Sequence, residues 1–233
     1  MNGIMRNLGE VNDRIAHAAA LVGRDPRGVQ LVAVSKTCGP EEIREAYAAG
    51  QRHFGENYAQ ELRDKALALA DLPELRWHFI GHLQSNKAKL VARCTALVET
   101  VDSERLAEEL SRLAGKEGLR IPCLVQVNVG EEAQKYGCSP SAVAAVLSAV
   151  ERAPGLELAG LMTLPPFDLD ATETRVHFRA LRELRDACGG KARLRHLSMG
   201  MSHDFEEAIR EGATIVRVGT AIFGERGLLS QGG

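Results

Sequence analysis

The sequence contains no CxxC pair, and its five cysteines (Cys38, Cys94, Cys123, Cys138 and Cys188) are an odd number spread along 233 residues. That argues against both a disulfide framework and a zinc ribbon, and the thiols are read as reduced and mostly buried. Cys38 is set apart, because the ammonium of Lys36 two residues away would lower its pKa. No apolar run is long enough to cross a bilayer, and Met1 to Glu10 is polar, so a cytoplasmic protein without membrane partners is expected. An excess of one charge is missing too: 29 basic residues face 31 acidic ones for a net charge of −2. Nothing global therefore attracts nucleic acid, and any anion site must be local. There is no GxGxxG after the first strand, no GxxxxGK followed by Ser or Thr, and no HExxH helix. His78 and His82 are four apart but fall in strand and loop, so no metal is expected.

What is present is a regular alternation. Apolar, strand-like runs cover Gln30–Ser35, Arg52–Gly55, Arg76–Gly81, Ala96–Val101, Ile121–Val129, Glu157–Leu164, Leu194–Ser198 and Thr214–Val218. Between them, Pro40–Ala49, Tyr58–Ala70, Ser85–Cys94, Ser103–Gly118, Ser139–Ala153, Thr172–Cys188 and His203–Gly212 carry apolar residues at helical spacing. Ser103, and Ser139 ahead of Pro140, supply helix start signals, while Gly50, Gly118 and Gly212 stand where helices would end. Strict strand–helix alternation predicts a parallel sheet. Eight strands behind a leading helix (Asn2–Val22) favour a single (β/α)₈ barrel of the TIM type, with an open doubly wound sheet as the alternative. One domain, residues 1–233, is expected: there is no repeat or linker, and Pro165–Pro166 reads as a loop.

In such a barrel the chemistry sits where strands end. The first strand delivers Lys36 at its C-terminal end. Beside an apolar core an ammonium loses hydration, and the neutral amine becomes a nucleophile towards an aldehyde; taken alone, Lys36 is equally well read as a solvated loop lysine. After the eighth strand, Gly219 and Thr220 lie between Val216-Arg217-Val218 and a short helix, where backbone N–H groups make an anion cradle. Ser198, in Ser198-Met199-Gly200-Met201-Ser202 after the seventh strand, is a further candidate phosphate donor. Arg217 points inward near the end of its strand. A reactive lysine, a phosphate cradle and an arginine at one barrel mouth suit an aldehyde that carries a phosphate.

On these residues the chain resembles the pyridoxal phosphate homeostasis protein family (the YggS/PROSC type), whose fold is similar to the barrel domain of alanine racemase. The resemblance runs through Ala33-Val34-Ser35-Lys36-Thr37, Phe54-Gly55-Glu56-Asn57-Tyr58, the stretch from Trp77 to Lys87, Gly160-Leu161-Met162, Leu197 to Ser202 and Val216 to Gly224, over nearly the whole chain. It implies pyridoxal 5′-phosphate (PLP) as cofactor, held as a Schiff base on Lys36. Ser198, Gly219 and Thr220 would contact the phosphate and Arg217 would face the pyridine nitrogen. Asn57 and His78, at the ends of strands two and three, are expected to face the same mouth and to bond the ring oxygen or order its water. Two residues depart from the family pattern, His82 where proline is commoner and His203 where an acidic residue is commoner. Lys87 and Lys89 near the rim could hold a second cofactor or a partner, but read better as solvated lysines.

The resemblance implies a non-enzymatic PLP carrier that sequesters the cofactor and passes it to PLP-dependent apo-enzymes, and a monomer is expected. An arginine against the ring nitrogen weakens the electron sink on which carbanion chemistry depends. An amino-acid racemase is the alternative. It would need a second β domain, and the sequence ends at Gly233, soon after the barrel closes. A Schiff-base aldolase without PLP is the third reading, although its lysine usually stands on a later strand.

Overall fold

The computed structural model describes residues 3–132, 135–166 and 169–224. All eight expected strands form: β1 (Gln30–Val34), β2 (His53–Glu56), β3 (Arg76–Phe79), β4 (Leu97–Val101), β5 (Ile121–Gln126), β6 (Leu156–Met162), β7 (His196–Ser198) and β8 (Ile215–Val218). Each pairs in parallel with the next. β1 also pairs with β8, from Gln30 opposite Ile215 to Ala33 opposite Val218, so the sheet closes into a (β/α)₈ barrel rather than lying open.

Around it lie α1 (Gly3–Ala20), α2 (Pro40–Ala48), α3 (Ala59–Ala68), α4 (Ala88–Ala92), α5 (Glu104–Lys116), α6 (Val143–Arg152), α7 (Ala171–Ala187), α8 (Gly190–Arg193), α9 (Phe205–Arg210) and α10 (Thr220–Phe223). Ser103 caps α5 by accepting from the Leu106 amide, and Gly50, Gly118 and Gly212 end their helices at φ of 99°, 66° and 98°, the left-handed backbone for which a glycine pays no Cβ penalty. Three connections differ from expectation, one of them the 3₁₀ turn Ser85–Lys87 ahead of α4. A short α8 follows α7, and Pro140–Ala142 makes a 3₁₀ turn ahead of α6. The leading helix is present from Gly3; Asn2, where it was expected to start, lies outside the described residues.

Strands covered on both faces read as continuous apolar runs, and the two faces separate by parity. Leu31 and Ala33 of β1, Trp77 and Phe79 of β3 and Val216 and Val218 of β8 belong to the large core between sheet and helices. A smaller apolar cluster, Val32, Leu97, Leu124, Ala159, Met162 and Ile215, fills part of the barrel interior. Polar residues of the same inward parity occupy the rest: His78, Glu99, Ser198 and Arg217, all buried. Some strands stop short of their apolar runs. β5 ends at Gln126 because the loop folds back there, with the Cys138 amide donating to Gln126 O at 2.9 Å and the Asn128 amide to Cys138 O at 2.9 Å. No helix among the described residues is long and apolar enough to cross a membrane.

Candidate functional site

Residues 30, 32, 34 and 36 share one parity, so the inward row of β1 leads to Lys36 in the turn beyond the strand. Lys36 is half-buried and lines a cavity of about 270 Å³ at the C-terminal mouth of the barrel, together with Asn57, Ile80, Arg217, Gly219 and Thr220. The next residue, Thr37, has φ of 66°, an unfavourable conformation for a β-branched side chain. A network of charged groups holds the turn in place. The Thr37 amide donates to Glu61 Oε1 at 2.6 Å, and Lys65 Nζ donates to Glu61 Oε1, to the Ser35 carbonyl and to Glu56 Oε1 at 2.7, 2.7 and 2.8 Å. Ser35 Oγ also donates to Glu56 Oε1, at 2.6 Å. Burial pushes the Glu56 carboxyl above its usual range, against the pull of the Lys65 ammonium.

Arg217, on the inward parity of β8, is 2% exposed. Its Nη2 donates to the Thr163 carbonyl at 2.8 Å and its Nη1 to Ser198 Oγ. Ser198 Oγ in turn donates to Glu99 Oε2 at 2.5 Å, and Nη1 lies 3.8 Å from the same carboxylate oxygen. Burial lowers the pKa of the guanidinium, while the charges of Glu99 and Asp204 raise it.

Asn57 follows β2, and its Oδ1 is buried without a hydrogen-bond partner, an unmet requirement that a bound group could satisfy. The Gly219 amide donates to Ser202 Oγ at 3.2 Å, and Thr220 opens α10; the first amides of a helix have no partner within it and face outward from its start. A side chain at Gly219 would place its Cβ 3.3 Å from the Val34 carbonyl, so glycine lets the β8–α10 turn lie close against β1.

Five of the seven residues singled out in the sequence thus line one cavity: Lys36, Asn57, Arg217, Gly219 and Thr220. His78 does not, and its expected place at the mouth is corrected. β3 ends at Phe79, so Ile80 takes the inward position at the mouth and His78 lies one level deeper. His78 Nδ1 contacts Glu99 Oε1 at 2.6 Å, and its Nε2 approaches His53 Nδ1 at 3.0 Å and Gln30 Nε2 at 3.2 Å. His78, with Gln30 and His53, lines a second cavity of about 480 Å³ at the N-terminal end of the barrel. Ser198 is also below the mouth, fully buried, its hydroxyl proton directed to Glu99. Of the two serines in Ser198–Ser202, the one that lines the mouth is Ser202.

The sequence reading missed Glu99 and the Glu56–Lys65 pair. An acid inside the buried strand Leu97-Val98-Glu99-Thr100-Val101 was a legible signal, since a carboxylate there needs partners. Lys65 carried none, because its spacing on α3 matches that of a solvated lysine. Away from the mouth, His82 stacks on Tyr136 with ring centroids 3.8 Å apart, and Lys87 and Lys89 are exposed. His203 Nε2 stands 3.4 Å from Asp204 Oδ2 at the rim. None of the five cysteines forms a disulfide; Cys123 and Cys138 are buried, their pKa values pushed up to about 12 by burial, while Cys38, Cys94 and Cys188 are only half-buried. Among the described residues no group of three or more His, Cys, Asp or Glu is placed to hold a metal.

Comparison with known proteins gives consistent results. Residues 7–227 match the family model of the alanine racemase N-terminal domain. The pyridoxal phosphate homeostasis protein of Pseudomonas aeruginosa is 49% identical over 229 residues, 97% of this chain and 97% of the relative. That of Aquifex aeolicus is 44% identical over 228 residues, 97% of this chain and 99% of the relative. Among solved structures, PipY of Synechococcus elongatus with PLP bound superposes with a TM-score of 0.78 at 43% identity, covering 90% of this chain and 100% of PipY.

Proposed function

Since the chain belongs to the pyridoxal phosphate homeostasis protein family and carries the alanine racemase N-terminal domain, we propose that it binds PLP at the barrel mouth as a Schiff base on Lys36. It serves PLP homeostasis by sequestering the cofactor and delivering it to apo-enzymes, not by turning over amino acids. The observation that carries this reading is that a lysine, a buried arginine and the Gly219–Thr220 turn line one cavity. PLP supplies an aldehyde that condenses reversibly with an amine, with loss of water.

The residues fit that group. Lys36 supplies the amine. The backbone at Gly219 and Thr220 holds the phosphate, a position the loops after the last strands commonly take in this fold. The unpartnered Asn57 Oδ1 offers a polar contact to the ring. Arg217 faces the ring nitrogen. It is already cationic and buried, and a second positive charge beside it is unfavourable, so Arg217 keeps the ring nitrogen unprotonated and suppresses carbanion chemistry.

The test is the visible spectrum of the purified protein before and after borohydride, with mass mapping of the labelled peptide. The expected result is a yellow protein with a pyridoxyl mass on Lys36 and no appreciable racemisation of added amino acids. A colourless protein that takes up no added PLP overturns the reading, and rapid racemisation overturns the non-catalytic part of it.

A further inference from the structure

One anionic group organises the polar half of the barrel interior. Glu99 is fully buried and receives His78 Nδ1 at 2.6 Å on one carboxylate oxygen and Ser198 Oγ at 2.5 Å on the other. Burial opposes its ionisation, but the hydrogen bond from His78 and the charge of Arg217 outweigh it and hold its pKa below the usual range. A carboxylate only accepts, so both partners must donate to it. His78 therefore carries its proton on Nδ1, and the Ser198 proton points inward, which leaves the Ser198 lone pairs to receive Arg217 Nη1. The Thr163 carbonyl receives Nη2 at 2.8 Å, so the guanidinium is fixed at two corners. Of this line of groups, Arg217 reaches the mouth cavity and His78, with His53, reaches the cavity at the opposite end.

We propose that Glu99 is a positioning residue of the cofactor site, which fixes the orientation of Arg217 and balances its charge, so that a residue out of reach of the mouth sets how the mouth holds its ligand. The proposal rests on the PLP reading. Without the carboxylate, Arg217 loses the larger of its two counter-charges, and the Ser198 hydroxyl that holds its Nη1 is free to turn. The effect on bound PLP would be electronic as well as steric.

The experiment compares wild-type protein with Glu99→Gln, which keeps the shape and removes the charge. Nitrogen-15 spectra of the unliganded wild type should show His78 as the Nδ1–H tautomer; an Nε2–H tautomer overturns the proposal at its first link. Loaded with PLP, the variant should show a displaced visible band and release the cofactor about tenfold faster, the lower end of what losing an outer-shell partner costs a metal site. A purely structural role would lower the thermal midpoint and leave the band and the release rate of the folded, loaded protein unchanged, and that result overturns the proposal. If Glu99→Gln does not fold, Ser198→Ala removes the bridge between Glu99 and Arg217 and is expected to shift band and release in the same direction; unchanged values overturn the proposal. Failure of the wild type itself to take up PLP overturns the cofactor reading and the positioning role with it, whereas uptake by wild type with no change in either variant overturns the positioning role alone.

Discussion

The amide of Thr37, the residue after Lys36, sits in the left-handed region at φ of 66° and donates to Glu61 Oε1 at 2.6 Å. Such strain persists only where its surroundings over-determine it. Here the surroundings are Glu61 and, behind it, the Lys65 ammonium bound to two carboxylates and a carbonyl.

Lys65→Met should therefore be severely destabilising. It leaves Glu56, fully buried, without its counter-ion, and breaking a buried pair from one side costs about 3–5 kcal/mol. Urea denaturation of wild type and variant measures the difference. A loss below about 1 kcal/mol would mean that water or a neighbouring group replaces the ammonium.

Lys36→Ala should behave in the opposite manner. Lys36 is half-buried in a turn and contributes little to the core, so the denaturation midpoint should move by no more than a surface substitution allows, within about 0.5 kcal/mol. The borohydride-reducible adduct should disappear completely. An adduct that survives would mean that another lysine carries the aldehyde.

The barrel and the position of its mouth were legible in the sequence because each rests on a local pattern. Doubly buried strands read as apolar runs, helices as amphipathic stretches between them, and Gly50, Gly118 and Gly212 as their ends. Lys36, Arg217, Gly219 and Thr220 stand out because each lies within two residues of the end of an apolar run. His78 was misplaced because nearness to a strand end does not settle depth: it is penultimate in β3 as Arg217 is in β8, but the next inward position after it carries the side chain of Ile80, where the one after Arg217 is Gly219. Glu99 and Lys65 were missed for another reason. Glu99 meets its distant partners Ser198 and Arg217 only when β4, β7 and β8 close around one axis, while Lys65, four and nine residues from its carboxylates, has the spacing of a solvated lysine on α3.

Gly81 is a further position where the fold serves the mouth. A Cβ built there would stand 1.9 Å from the Asn57 carbonyl oxygen and 2.7 Å from its Cα, so only glycine lets the loop after β3 pass over Asn57. Backbone cannot yield as a flexible side-chain tip can. Gly81→Ala should cost about 1–3 kcal/mol, the usual range for overpacking, and should displace Asn57 from the cavity. The expected result is a lowered thermal midpoint together with weaker PLP uptake by the folded fraction. Lowered stability with unchanged uptake would remove Asn57 from the binding site.

His53 gives the fold a defined acid sensitivity. Burial first, then the charges of His78 and Arg76, lower its pKa from 6.5 to about 4. The unfolded chain then binds a proton between those values that the folded chain does not, so stability rises with pH across this window. The contribution of His53 is fully present above about pH 6.5, declines as the pH falls below that value, and stops changing below about pH 4. Carboxylates held below their usual pKa, such as Glu99 and Glu211, also destabilise the fold in acid, so the pH profile of the wild type alone does not isolate the histidine. The difference between wild type and His53→Gln does, because the other groups are common to both. Denaturation midpoints measured from pH 7 down to pH 4 should fall less steeply in the variant. Parallel profiles would mean that His53 is protonated in the folded protein as readily as in the unfolded chain, and that the cavity at the N-terminal end of the barrel is as wet as bulk solvent.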